Sequence, residues 1–312
     1  MENISFSVFL RIIQQLLTIK YQEINMLAVR DVQKSYGNKT VLKGISFTAP
    51  KGQIISLLGN NGSGKTTTFR CIMGLSDCDK GSIRYNGRPV ERKRFGYLPE
   101  ERSLFYDVPV FTQLKLLGQL KGSYSEEASL TADYWITRMK IEEYRNQIPL
   151  RMSKGNQQKV QLIMCLMGKP DILILDEPWT GLDQNNIGIF RDVLTELKTK
   201  NKIILLSSHQ YQPVQEICDR YLYLKNGELV INETKAHLQE MPQRIVEIEH
   251  DGRFIYQGKE AVRTTIHGRI VKLWVSNDDI AWAVMEKTRN NTSVISARKR
   301  KLTVNDLIEV SK

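Results

Sequence analysis

No stretch of the 312 residues approaches the roughly 18 consecutive uncharged apolar residues of a membrane span, so none of it reads as a transmembrane helix. Cysteine is scarce. Cys71, Cys78, Cys165 and Cys218 lie apart without CxxC spacing, which argues against a zinc site or a disulfide framework and fits reduced, buried thiols in a cytosolic protein. The first twenty residues lack a basic start and a small-residue cleavage site, so a signal peptide is not expected. Their apolar positions, Ile4 to Leu17 interrupted by Arg11, Gln14 and Gln15, fit an amphipathic helix on a membrane or a partner. Acidic residues are outnumbered, 34 against 45 Lys and Arg, giving a net charge of +11. That balance fits an anionic partner, nucleic acid or lipid, or simply a soluble enzyme with a basic face. An apolar share of 41% suffices for a sizeable core, and 312 residues suit one domain plus an appendage.

The informative segment is Gly59-Asn60-Asn61-Gly62-Ser63-Gly64-Lys65-Thr66, directly after the apolar run Gln53 to Leu58. A strand emptying into such glycines lets successive backbone N–H groups converge on a phosphate. Lys65 can reach β- and γ-phosphates, and the Thr66 hydroxyl can hold Mg²⁺. Thr66 to Cys71 is expected to open a helix against the anion. A second run, Ile172-Leu173-Ile174-Leu175, reads as a strand buried on both faces. Asp176 and Glu177 stand at its C-terminal end, where open α/β sheets place ligands. Asp176 is expected to bind Mg²⁺ through water, and Glu177 to face an attacking water. A third run, Ile203 to Ser208, ends in His209 on the same presumed sheet edge.

Met152-Ser153-Lys154-Gly155-Asn156-Gln157-Gln158-Lys159-Val160 precedes the Asp-Glu strand and resembles the signature motif of ABC (ATP-binding cassette) ATPases. With the phosphate loop, Gly181-Leu182-Asp183 and His209, the order is similar to one complete ABC cassette over roughly residues 27 to 235. The resemblance implies several roles. Tyr36 stacks on adenine. Gly59, Asn60, Asn61, Gly62, Ser63, Gly64, Lys65, Thr66 and Thr67 hold the nucleotide. Asp176 and Thr66 hold Mg²⁺, Glu177 is the catalytic carboxylate, and His209 senses the γ-phosphate. Ser153 and Gly155 touch the γ-phosphate of a nucleotide on the other subunit, with Asp183 at the dimer seam. Three positions depart from the pattern. Glu100 stands where the family has a glutamine that contacts Mg²⁺ and the membrane partner; its carboxylate can still bind the metal but adds negative charge. Lys154 replaces a glycine, and either offsets Glu100 or faces solvent. Asn156 replaces a glutamine.

The implied fold is α/β, a P-loop NTPase of ABC type: a mostly parallel core sheet, an antiparallel β subdomain and a helical subdomain, followed by a small C-terminal α+β appendage. Residues 1–25 form an extension, 26–239 the ATP-binding domain with its helical subdomain at about 101–160, and 240–312 the accessory domain. The extension is alternatively an upstream reach of the reading frame, since Met26 stands where such domains begin. The implied activity is ATP hydrolysis. The Tyr97-Leu98-Pro99-Glu100-Glu101-Arg102 variant is similar to sodium-, drug- and peptide-efflux systems and favours export. Expected partners are an integral membrane permease and a second cassette, with a homodimer favoured, on the cytoplasmic face of the cell membrane. The alternative is a soluble ABC ATPase acting on nucleic acid in translation or repair. Translation factors of that kind carry two cassettes, and repair ATPases a long coiled coil; one motif set without sustained heptads fits neither, so nucleic acid is not expected as a partner. Arg298-Lys299-Arg300-Lys301 reads as a solvated basic face or, alternatively, a lipid or nucleic-acid contact.

Overall fold

The computed structural model of the protein describes residues 24–209, 212–289 and 291–311. The amphipathic helix expected before residue 24 lies outside them. Two compact units divide between Asn232 and Glu233. This is earlier than the boundary at 240 expected from the sequence, because the short helix after Thr234 clusters with the second unit.

The first unit runs β1 (Met26–Tyr36), β2 (Lys39–Pro50), β3 (Gln53–Leu58), α1 (Lys65–Ile72), β4 (Lys80–Tyr85), β5 (Arg88–Pro89) and β6 (Phe95–Leu98). It continues with α2 (Val110–Leu120), α3 (Ser125–Arg138), α4 (Lys154–Leu166), β7 (Ile172–Leu175), α5 (Gln184–Thr199), β8 (Ile203–Ser208), α6 (Gln212–Ile217), β9 (Arg220–Lys225) and β10 (Glu228–Thr234). An antiparallel sheet has the order β2-β1-β4-β5, and a six-stranded sheet the order β10-β9-β3-β8-β7-β6. In the latter, β9, β3, β8, β7 and β6 pair in parallel. Parallel strands are covered on both faces, so their sequences are continuous apolar runs. All residues of β7 and β8 are buried. Ile55, Leu57, Ile174 and Leu205 join Phe69 and Ile72 of α1 and Leu42 and Phe47 of β2 in one core.

Register is what builds the site. Leu58 lies opposite Ser208, and Leu175 opposite Leu206. The phosphate loop, Asp176 and His209 therefore leave neighbouring strands at one sheet edge. The segment between β6 and β7 is helical as expected, although its leucines are not all core: Leu114 is fully buried, whereas Leu116 and Leu120 are exposed.

The second unit contains α7 (Lys235–Glu240), β11 (Arg244–His250), β12 (Arg263–His267), β13 (Ile270–Val275), α8 (Asp278–Arg289), β14 (Val294–Lys301) and α9 (Val304–Ser311). Its sheet has the order β12-β13-β11-β14, with antiparallel pairing throughout. Alternation splits the faces. Val246, Ile248, Val271 and Leu273 pack with Ala281 and Val284 of α8, while Ile245 and Trp274 join Leu302 and Leu307. The basic run is the end of β14, and most of its charge is answered within the unit. Arg298 and Arg300 flank Glu247, Lys299 meets Asp278, and Arg300 also meets the fully buried Asp306.

Candidate functional site

Gly64 caps α1 in the left-handed region at φ +110°, where a Cβ would come within 2.8 Å of Leu42 Cδ2. Only glycine fits both demands. Gly62 also has positive φ, but a Cβ there would meet nothing within 4 Å. The loop is tight toward the core and open toward a cavity of about 690 Å³. Lys65 is buried, its Nζ donating to Gly59 O at 2.8 Å and Asn60 O at 3.3 Å. The ammonium thus rests on its own loop at the cavity wall. Asn61, Gly62, Gly64, Lys65, Thr66 and Thr67 line it together with Glu100, Asp176 and Glu177, and Lys39 and Lys43 contribute more positive charge.

The acids at the end of β7 are buried, Asp176 at 2% exposure and Glu177 at 5%. Thr66 Oγ1 donates to Asp176 Oδ2 at 3.0 Å. Ser207 Oγ donates to Asp176 Oδ1 at 2.5 Å and accepts the Glu177 N–H at 2.9 Å. Glu177 has φ +48°, a conformation rare for a non-glycine residue and typical of functional sites. Its Oε2 accepts the His209 N–H at 3.3 Å and lies 2.9 Å from His209 Nδ1. Thr66, Asp176, Ser207, Glu177 and His209 therefore form one hydrogen-bonded chain, of which Thr66, Asp176 and Glu177 line the cavity. Behind it, burial together with the Asp176 charge pushes the Tyr97 phenol up to about 12.

Thr66, Asp176 and Glu100 form an all-oxygen donor set. Among the described residues, no group of three or more His, Cys, Asp or Glu could hold a metal ion alone. Sparse hard oxygens suit Mg²⁺, which keeps several waters and takes phosphate oxygens as ligands.

The signature residues lie elsewhere. Ser153 caps α4, its Oγ accepting the Asn156 N–H at 3.3 Å, and Asp183 caps α5, accepting the Asn186 N–H at 2.8 Å. A Cβ on Gly155 would fall 2.9 Å from Asn186 Nδ2, so Gly155 and Asp183 both meet Asn186. None of the three lines the phosphate cavity. Tyr36 is also outside that lining; it is half exposed, with its hydroxyl 3.2 Å from Ser76 Oγ and Lys34 Nζ 5.3 Å from its ring centre. Two residues escaped the sequence reading. Ser207 carried a signal, its place at a strand end one step from the Asp-Glu pair. Gln161, in mid-helix, carried none; its Nε2 donates to Pro99 O at 3.0 Å and Glu101 O at 3.1 Å, tying α4 to the loop that bears Glu100.

A family model described as ABC transporter matches residues 42–180. An ABC transporter ATP-binding protein of Methanocaldococcus jannaschii is 44% identical over 204 residues, covering 65% of this chain and 76% of that protein. The ABC transporter ATP-binding protein YhaQ of Bacillus subtilis is 38% identical over 264 residues, covering 82% of this chain and 88% of YhaQ. A solved ATP-binding subunit of an ABC transporter superposes with a TM-score of 0.64 at 29% identity, covering 69% of this chain and 92% of that one. With the phosphate loop, the paired acids and the histidine at one sheet edge, these matches show that the chain belongs to the ABC transporter ATP-binding family and is an ATP-hydrolysing subunit.

Proposed function

We propose that this chain energises an exporter, closing head to tail with a second cassette around two ATP molecules and driving a separate membrane permease. The observation that carries the catalytic part is the hydrogen-bonded chain from Thr66 to His209, whose Thr66, Asp176 and Glu177 line the phosphate cavity. The loop amides and Lys65 hold the triphosphate. Thr66, Asp176 and Glu100 would hold Mg²⁺, which when bound stabilises charge on the phosphoryl oxygens. Glu177 orients and deprotonates the attacking water, its carboxylate held by His209 and its backbone by Ser207. Positioning and charge stabilisation supply most of the acceleration in phosphoryl transfer.

The need for a second cassette is supported by the separation of Ser153 and Gly155 from the chain's own cavity. A permease partner is supported by a groove of about 340 Å³ with Met73, Leu75, Leu117 and Met164 in its walls. Leu75 is 56% exposed there, an apolar surface suited to a partner. Pro99 and Gln161 share this groove, so it adjoins the loop that bears Glu100. Among the described residues no helix is long and apolar enough to cross a membrane, so docking on a permease would place the protein at the membrane's cytoplasmic face. Export is supported by the efflux-like loop variant and by a relative named Nod factor export ATP-binding protein I, of Burkholderia lata, 32% identical over 207 residues.

Glu177→Gln tests the reading. It is expected to retain ATP, accumulate as a dimer with Mg·ATP, and lose turnover by about 10²- to 10⁴-fold. Wild-type turnover would refute the role of Glu177, and co-purification with no polytopic membrane protein would refute the permease.

A further inference from the structure

Arg102 follows the loop that bears Glu100, and its guanidinium lies over the backbone of Gly181. A Cβ on Gly181 would be 3.1 Å from Arg102 Nη2 and 3.9 Å from Lys154 Cβ. The Arg102 Nε–H is buried and has no acceptor, and neither Arg102 nor Lys154 has an ion-pair partner among the described residues. Three nearby acids are engaged elsewhere: Asp183 caps α5, Glu177 meets His209, and Asp176 is held by Thr66 and Ser207. A guanidinium cannot shed its charge, and a buried charged donor without an acceptor is disfavoured. Two cations thus share one surface with the Ser153 turn of α4, and no carboxylate is bonded to either. The planar donor fork of arginine matches phosphate oxygens. The chain's own nucleotide cavity does not meet this demand, since neither Arg102 nor Lys154 lines it.

We propose that Arg102 binds the terminal phosphate of the ATP held by a second copy of this chain, with Lys154 beside it, and that closure of the pair depends on this contact. The inference rests on the head-to-tail reading given above. It also gives Glu100 a counterpart: the added carboxylate in one copy's cavity is met by an added cation from the other.

The experiment uses the full chain in a Glu177→Gln background. Sedimentation with Mg·ATP measures the pair. Titration with a fluorescent ATP analogue, at protein concentrations below association, measures the single chain's own loop. Arg102→Ala is expected to weaken ATP-driven dimerisation by at least about tenfold while leaving single-chain binding within about twofold. Arg102→Lys should recover part of the dimer. An Arg102→Ala chain that pairs as well as its parent overturns the inference and leaves the head-to-tail reading standing. A Glu177→Gln parent that stays monomeric with Mg·ATP removes that reading and the inference together. Loss of single-chain binding in both Arg102→Ala and Arg102→Lys would assign Arg102 to the fold or to its own nucleotide, and also overturns it.

Discussion

Ser207 Oγ donates to Asp176 Oδ1 at 2.5 Å while accepting the backbone N–H of Glu177 at 2.9 Å. One hydroxyl on β8 therefore positions the two consecutive acids that follow β7. Ser207→Ala strips both bonds in a buried place, and an unsatisfied buried group costs about 1–3 kcal/mol. The expected result is a lower unfolding temperature by calorimetry and a turnover reduced by at least about tenfold, because Glu177 loses its fixed backbone. ATP binding through the phosphate loop should change little. Normal turnover in this variant would remove the positioning role.

His209 and Glu177 share a contact of 2.9 Å, yet the imidazole is 55% exposed and the carboxylate only 6%. His209→Ala should leave stability within about 0.5 kcal/mol, as exposed truncations usually do. Its turnover should nonetheless fall by about 10²-fold or more. Groups that act as a unit give non-additive losses. The double variant with Glu177→Gln is therefore expected to be no slower than the worse single one. Multiplying losses in steady-state assays would show that the two act separately.

These contacts mark how far the sequence could be read. β7 and β8 were legible because each is a continuous apolar run, and the polar residues at their ends had to emerge at one edge once the strands were parallel neighbours. Ser207 was seen only as part of its run, since a serine inside an apolar strand has no periodic signature until a partner strand sets the register. β12 was missed for the opposite reason: none of its five residues is buried, so an edge strand left no alternation to detect. β14 runs through the basic run to Lys301, because Glu247 of β11 lies opposite Arg298 and turns a like-charged stretch into cross-strand pairs. The division of the units was displaced because Thr234 caps α7 through its own hydroxyl, a local bond that composition does not reveal.

Glu100 lines the phosphate cavity with Asp176 and Glu177, three acids around a site for an anion. Without a divalent cation they repel the triphosphate, and a unit charge at an effective dielectric near 20 contributes on the order of 1–3 kcal/mol at such ranges. Glu100→Gln should therefore tighten ATP binding measured in EDTA by about tenfold. With Mg²⁺ present the gain should shrink, because a metal-binding oxygen has been exchanged for a weaker one. Nucleotide titrations with and without EDTA decide it. An equal shift in both conditions would show that Glu100 does not act through the metal.

Glu309 of α9 accepts Thr265 Oγ1 and Lys272 Nζ, each at 3.0 Å, and meets His267 Nε2. Burial works against its charge, but these donors outweigh it and hold the carboxyl at about 2, against an ordinary 4.5. Glu247 beside Arg300 and Asp306 beneath it are likewise held low against their burial. An acid whose folded pKa lies below its unfolded value stabilises the fold at pH above the unfolded value, and that stability drains away as pH falls through the folded one. For Glu309 the window runs from about 4.5 down to about 2. The second unit is expected to lose thermal stability across this window. Glu309→Gln should begin less stable at neutral pH and converge on the wild type as the window closes. Differential scanning calorimetry at a series of pH values measures the gap, and a gap that stays constant to the acid end would exclude Glu309 from the response.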